Sequence, residues 1–207
     1  MSQDQFDTKE IFNIMVVGVG GQGAIRLGQF FQEFGMLHPE ISSVVAMESR
    51  GVSQREGSVQ SSIRYLRKIQ NNVKSSSFSQ LSPSIPLQSC DLMIALEPLE
   101  FLRYLNYLSP NAIILLNEQS IIPKSVIINK AVYPDLSSCI ERIQKIYPKI
   151  QIHHKNYSLD ALNVNESMIV VNYLMCKDLP ALASGIFNHP KYQELLDLIF
   201  NVVKKDQ

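Results

Sequence analysis

The chain has 207 residues, and 19 lysines and arginines balance 19 aspartates and glutamates, so its formal net charge is zero. That length supports one sizeable core, and the charge balance excludes a global field that would gather nucleic acid or an anionic membrane, so neither is expected as a partner. The longest nearly apolar run, residues 168–176, falls well short of the roughly 18 residues a membrane span needs, and the start MSQDQFDTKE has no basic-then-apolar leader pattern, so a cytoplasmic location is expected.

Residues 1–10 read as a polar tail. The run from Ile11 to Val17 is short, β-branched and stopped by glycine, as a buried parallel strand would be. GVGGQG (Gly18 to Gly23) follows, and then AIRLGQFFQEFG, in which Ile25, Leu27, Phe30, Phe31 and Phe34 suit one helical face. Ser43 to Glu48 predicts a second strand and Ser58 to Tyr65 a third, while Ser75 to Ser89 reads as an irregular Ser/Pro-rich connection. Asp91 to Leu96 predicts another strand, and Pro98, after Glu97, suits the first position of a helix over PLEFLRYLNYL. Ala112 to Asn117 continues as a strand, with a further one near Val126 to Asn129, a helix from about Leu136 to Tyr147, a strand near Ile150 to His153, and two terminal helical segments that part near Gly185. The alternation predicts an α/β fold: one Rossmann-like domain over 11–160, mostly parallel with helices on both faces, and a helical segment over 161–207 packed on that domain.

Cys90, Cys139 and Cys176 stand far apart and read as buried apolar residues; no C-x-x-C run offers thiolates for an iron–sulfur cluster. His153-His154 is the one close histidine pair and lacks Cys or carboxylate ligands at zinc spacing, so no metal site is expected. In the glycine turn, Gly18, Gly20 and Gly23 occupy the places of a G-x-G-x-x-G motif, which lets backbone approach an anion at a helix N-terminus or simply packs helix against strand. Glu48, 25 residues beyond Gly23, stands where a dinucleotide-binding protein keeps its ribose-binding carboxylate. These features leave a stand-alone NAD(P)-binding oxidoreductase open as an alternative, beside a noncatalytic binding or regulatory module of the same fold. Glu97 reads as a carboxylate that stabilises a helix N-terminus electrostatically rather than as a base, His38 and His189 as loop or capping residues before prolines, and the Phe30, Phe31 and Phe34 cluster as core.

The loop SRGVSQREGS decides which reading to prefer. GVGGQG, SRGVSQREGSVQSSIRY, SPSIPLQSCDLMIALEPLEFLRYL, Asn117, Ile122-Pro123 and Tyr133-Pro134-Asp135, taken in order, resemble the gamma-type subunits of 2-oxoacid:ferredoxin oxidoreductases, the indolepyruvate type above all. The similarity runs from about Asn13 to Asp135, with Glu56 a departure where the family loop carries glycine, and the family's Gly-Asn region before the last long helix is only loosely echoed by Asn163-Val164-Asn165. The resemblance implies a subunit inactive alone, within a complex that oxidatively decarboxylates 2-oxoacids of the arylpyruvate or indolepyruvate kind to acyl-coenzyme A. It implies that thiamine diphosphate, magnesium and iron–sulfur clusters belong to larger partner subunits, that ferredoxin is met indirectly, and that coenzyme A reaches a shared cavity. The rim of that cavity would hold Gly18, Gly20, Gly21, Gln22 and Gly23 of the glycine turn, with Arg50, Gln54, Arg55, Gly57 and Ser58 of the loop. The rival reading makes the loop a surface turn whose arginines pair with Glu48 and Glu56.

Overall fold

A computed structural model describes residues 9–51, 57–68, 81–162 and 168–200. Gln54, Arg55 and Glu56, with Asn163, Val164 and Asn165, lie outside the described residues.

The described chain runs β1 (Ile11–Val19), α1 (Ala24–Leu37), β2 (Ile41–Arg50), β3 (Ser58–Arg67), β4 (Cys90–Ala95), α2 (Pro98–Arg103), β5 (Leu108–Asn117), α3 (Lys124–Ile127), α4 (Leu136–Ile146), β6 (Gln151–Lys155), α5 (Tyr157–Leu162), α6 (Met168–Leu182), α7 (Ser184–Phe187) and α8 (Pro190–Phe200). The strands form one sheet in the order β2-β3-β1-β4-β5-β6. β1, β4, β5 and β6 pair in parallel, whereas β3 is antiparallel to both β1 and β2, so β3 alone opposes the rest. The chain is a single mostly parallel α/β domain, as its alternation predicts.

Burial on both faces explains the unbroken apolar strands. In β1, Phe12, Ile14 and Val16 join one core with α1, α6 and α8, while Met15 and Val17 join a second core with α2 and α4. β4 divides in the same way, Leu92 and Ile94 to the first and Met93 and Ala95 to the second. Phe30, Phe31 and Phe34 are fully buried against Phe187, Tyr192 and Phe200, which makes the aromatic cluster of α1 the floor on which the C-terminal helices sit. Arg26 also donates to the Ile199 carbonyl (2.6 Å), fixing α8 to α1.

Three predicted elements are corrected. The strand near Val126 to Asn129 is instead the short helix α3, entered from Pro123 and closed by Asn129, whose left-handed φ of 55° ends the turn. The β-branched run favours a strand locally, but its N–H groups bond within the turn, Val126 and Ile127 to the Pro123 carbonyl and Ile128 to that of Lys124. The helix over PLEFLRYLNYL stops at Arg103, gives way to a 3₁₀ turn at Leu105–Tyr107, and Leu108 already begins β5. The two terminal segments are three helices, with α7 as the middle piece.

His38 and His189 do cap their turns, each Nδ1 accepting the backbone N–H two residues on, from Glu40 and Lys191 (3.2 Å each). Sequence did not reveal that their rings also meet, with centroids 4.8 Å apart, joining the end of α1 to the start of α8. Burial and the neighbouring His189 hold His38 below its ordinary value of 6.5, Arg67 acting in the same sense and Glu40 opposing. A histidine whose folded value is depressed contributes stability that is present above its unfolded value and lost as pH falls through the folded one. Thermal melts from pH 7.5 to 5.5 are therefore expected to show the wild-type midpoint falling more steeply than that of His38→Asn; equal slopes would remove His38 as the cause.

Candidate functional site

Helix α1 lies after β1 on one side of the order reversal and β4 begins the other, so the gap between β1 and β4 at their carboxyl ends is the switch point at which open α/β sheets hold ligands. The glycine turn, the start of β3, the start of α2 and the end of β5 all converge there.

The turn is built inward. The Gln22 side chain is buried, its Oε1 accepting from the Val19 N–H (2.9 Å) and its Nε2 donating to the Leu96 carbonyl (3.1 Å), which ties β1 to β4. Gly23 adopts φ 84°, and a Cβ there would lie 2.5 Å from Asn172 Nδ2, which itself donates to the Gln22 carbonyl (3.0 Å). Gly18 is close to Leu96 and to Gln22 Oε1, so its missing side chain serves packing. Gly20 and Gly21 are exposed; the Gly20 N–H donates to the Gly57 carbonyl (2.9 Å), and Gly21, at φ 95°, faces open space. Together these contacts place the base of the β2–β3 loop directly on the glycine turn.

That base has a second anchor, which the sequence did not announce. Ser58 Oγ donates to Glu100 Oε2 (2.6 Å) and lies 3.2 Å from the Tyr104 hydroxyl, while Arg103 donates to Glu100 Oε1 (2.9 Å). Burial raises the Glu100 carboxyl above its ordinary value, and nearby Glu97 adds to this, while the Ser58 bond and Arg103 pull it back. Glu97 stands at the start of α2 as predicted and caps it by a direct bond, Oε2 accepting from the Glu100 N–H (2.9 Å). Its Oε1 also accepts from the Tyr133 hydroxyl (2.5 Å) and the Ile121 N–H (3.3 Å), holding the connection after β5. Burial and that hydrogen bond push the Tyr133 hydroxyl up to about 12, so it remains a proton donor at neutral pH. Glu97 and Glu100, three residues apart on one helical turn, thus secure two different loops above the carboxyl edge. The only signal for Glu100 in the sequence is this E-x-x-E spacing at a helix start, which a capping reading fully accounts for.

Asn117 is buried at the end of β5, where Oδ1 accepts from the Tyr157 N–H (3.1 Å) and Nδ2 reaches Ser158 Oγ (3.2 Å). Arg50, at the end of β2, is exposed and 3.7 Å from Glu48, the pairing the surface-turn reading expects for it. The row Val16–Ser61–Glu48 sets β3 between Glu48 and β1, about 10 Å of sheet at the usual strand spacing. A ribose-binding carboxylate stands on the strand next to β1, so the geometry that would support dinucleotide binding is not formed.

Iron–sulfur ligation does not fit the described residues. Cys90 and Cys176 are buried in opposite cores, with burial raising both thiols, and Cys139 stands apart on α4. Among the described residues no three His, Cys, Asp or Glu side chains converge as metal ligands.

The family model for pyruvate ferredoxin/flavodoxin oxidoreductases matches residues 13–174. The chain belongs to that family. Its relatives include the indolepyruvate oxidoreductase subunit IorB of Archaeoglobus fulgidus, 37% identical over 73% of this chain and 72% of that protein, and the IorB of Methanothermobacter thermautotrophicus, 31% identical over 65% and 61%. Among solved structures, this family member resembles 2-oxoglutarate:ferredoxin oxidoreductase from Magnetococcus marinus with 2-oxoglutarate, coenzyme A and succinyl-CoA bound (TM-score 0.56, 13% identity, 93% of this chain and 30% of that one). It also resembles the pyruvate oxidoreductase subunit PORC of Thermotoga maritima (TM-score 0.52, 15% identity, 95% of each chain). At those identities the structural likeness establishes the fold.

Proposed function

We propose that this chain is the gamma-type subunit of an indolepyruvate-type 2-oxoacid:ferredoxin oxidoreductase, completing a cavity whose thiamine diphosphate, magnesium and iron–sulfur clusters reside in larger subunits. The observation that carries the reading is the switch-point assembly: the glycine turn is locked from within by Gln22 and Asn172, while the loop base at Gly57 and Ser58 is fastened to it and to Glu100. Such construction supports a rigid ledge under the base of the β2–β3 loop better than it supports a dinucleotide cleft. The 37% identity to an IorB subunit supports the indolepyruvate assignment. In this reading, Arg50 and Arg55 offer planar donors to phosphate or carboxylate groups, with coenzyme A as the anion at the shared cavity.

The test is reconstitution. Purified with the larger subunit, the chain should support arylpyruvate- and coenzyme A-dependent reduction of ferredoxin, and the isolated chain should show none of it. Arg55→Ala should leave the complex assembled and change its turnover or its coenzyme A requirement roughly tenfold or more, as expected for loss of a charge-assisted bond, with Arg55→Lys restoring only part. Wild-type kinetics in the assembled Arg55→Ala complex would remove the anion role from Arg55; NAD-dependent oxidation by the chain alone would replace the subunit reading.

A further inference from the structure

The connection after β5 presents apolar side chains outward from a well-ordered support. Ile122, Ile127, Ile128 and Val132 are exposed, Ile127 by 66% and Val132 by 92%. They do not belong to a frayed segment. The Lys130 N–H donates to the Ser125 carbonyl (2.8 Å) and the Asn129 N–H to the Val126 carbonyl (3.0 Å), with Asn129 left-handed, the paired bonds of a Schellman cap. At either end Glu97 grips the segment, through the Ile121 N–H and the Tyr133 hydroxyl. A rigid turn that uses a buried carboxyl to hold four apolar side chains in water is the signature of a surface that meets another protein.

Charge says what kind of protein. Lys124 and Lys130 are the only charged residues between Glu118 and Asp135, and among the described residues neither forms an ion pair. A two-fold contact of this patch with itself would set lysines against lysines with no carboxylate to answer them, which disfavours a second copy of the chain. An anionic bilayer gains only about 1 kcal/mol per lysine near its surface, and this chain has no net charge to add. Elsewhere among the described residues Met36 and Leu37 form an exposed pair at the end of α1 and Ile146 and Tyr147 one at the end of α4, while Leu87, Leu159, Ile169 and Leu198 stand singly, so no other segment gathers four. Because Glu97 anchors the patch, whatever covers it also abuts the carboxyl edge of the sheet.

We infer that the surface formed by Ile122, Ile127, Ile128 and Val132, flanked by Lys124 and Lys130, docks an apolar patch rimmed by carboxylates on the larger subunit. The inference rests on the subunit reading above and names the face through which that cavity is closed. Exposed positions allow the test without unfolding the chain. Binding of the purified chain to the purified larger subunit is measured for wild type, Ile127→Asp/Ile128→Asp, Lys124→Glu/Lys130→Glu and the control Leu198→Asp, with circular dichroism and melting checked for each. The isoleucine pair should weaken binding by about a hundredfold, as central apolar contacts do. The lysine pair should weaken it about tenfold at 50 mM salt and much less at 500 mM, while Leu198→Asp binds as wild type. A folded Ile127→Asp/Ile128→Asp chain that binds like wild type overturns the docking assignment and leaves the subunit reading intact, whereas a wild-type chain that never binds the larger subunit overturns both. Dimerisation of the chain alone that Ile127→Asp/Ile128→Asp abolishes, or lysine-dependent flotation with phosphatidylserine vesicles, would reassign the patch to those occupants and overturn the inference.

Discussion

Glu97→Ala is expected to lower the unfolding free energy by about 3 kcal/mol, because one side chain serves three donors. The Glu100 N–H loses its cap bond of 2.9 Å and the Tyr133 hydroxyl its partner at 2.5 Å, both beside a side chain that is 1% exposed. Each stranded buried donor costs about 1–3 kcal/mol, but the Ile121 N–H bond is long at 3.3 Å and only part-buried, so water replaces most of it. Glu97→Gln keeps an oxygen for the Glu100 N–H and an amide that can donate to the tyrosine oxygen, so about 1 kcal/mol is expected. Urea unfolding reads both values. Trypsin supplies an independent measure, since release of Ile121 and Tyr133 should hasten cleavage after Lys124 and Lys130. Equal midpoints for wild type and Glu97→Ala would end the assignment of Glu97 as the anchor of two loops.

Gly23→Ala should be comparably damaging, by about 3 kcal/mol, through two separable effects. At φ 84° an alanine bears the left-handed penalty of about 1–2 kcal/mol. Its Cβ would also stand 2.5 Å from Asn172 Nδ2, which cannot yield without giving up its hydrogen bond to the buried Gln22 carbonyl. Gly21→Ala is the internal control, since Gly21 has φ 95° and a Cβ added there would meet nothing within 4 Å, leaving backbone strain alone. The difference between the two substitutions should be at least about 1 kcal/mol, and adding Asn172→Ala to Gly23→Ala should narrow it. Identical losses at Gly21 and Gly23 would show that the contact with Asn172 does not restrain the turn.

Much of the fold was legible because local rules and tertiary demands agree. Residues 14–17 of β1, 92–96 in and just after β4 and 112–116 of β5 are apolar at every position, which a sheet covered on both faces requires, and the Phe30, Phe31 and Phe34 spacing marks the buried side of α1. Where the two levels part, sequence misleads. Val126 to Asn129 has strand-forming residues, yet the turn chemistry of Pro123 and Asn129 prevails and makes α3. Glu48 stands at dinucleotide spacing along the chain, yet β3 folds back between β2 and β1, and spacing in sequence carries no information about which strand lies next to which.

By itself the sequence determined the α/β class, the order of nearly all elements, the place of Glu97 at a helix N-terminus and, through several motifs in order, a resemblance to the gamma-type oxidoreductase subunits. Those properties are set by neighbours a few residues apart or by composition along the chain. Only the tertiary structure decided that Gln22 points inward to Leu96, that Ser58 meets Glu100 across 42 residues and that His38 meets His189. Each of these depends on which strands pair and which helix covers them, and that is fixed by burial of the whole core rather than by any short stretch of residues.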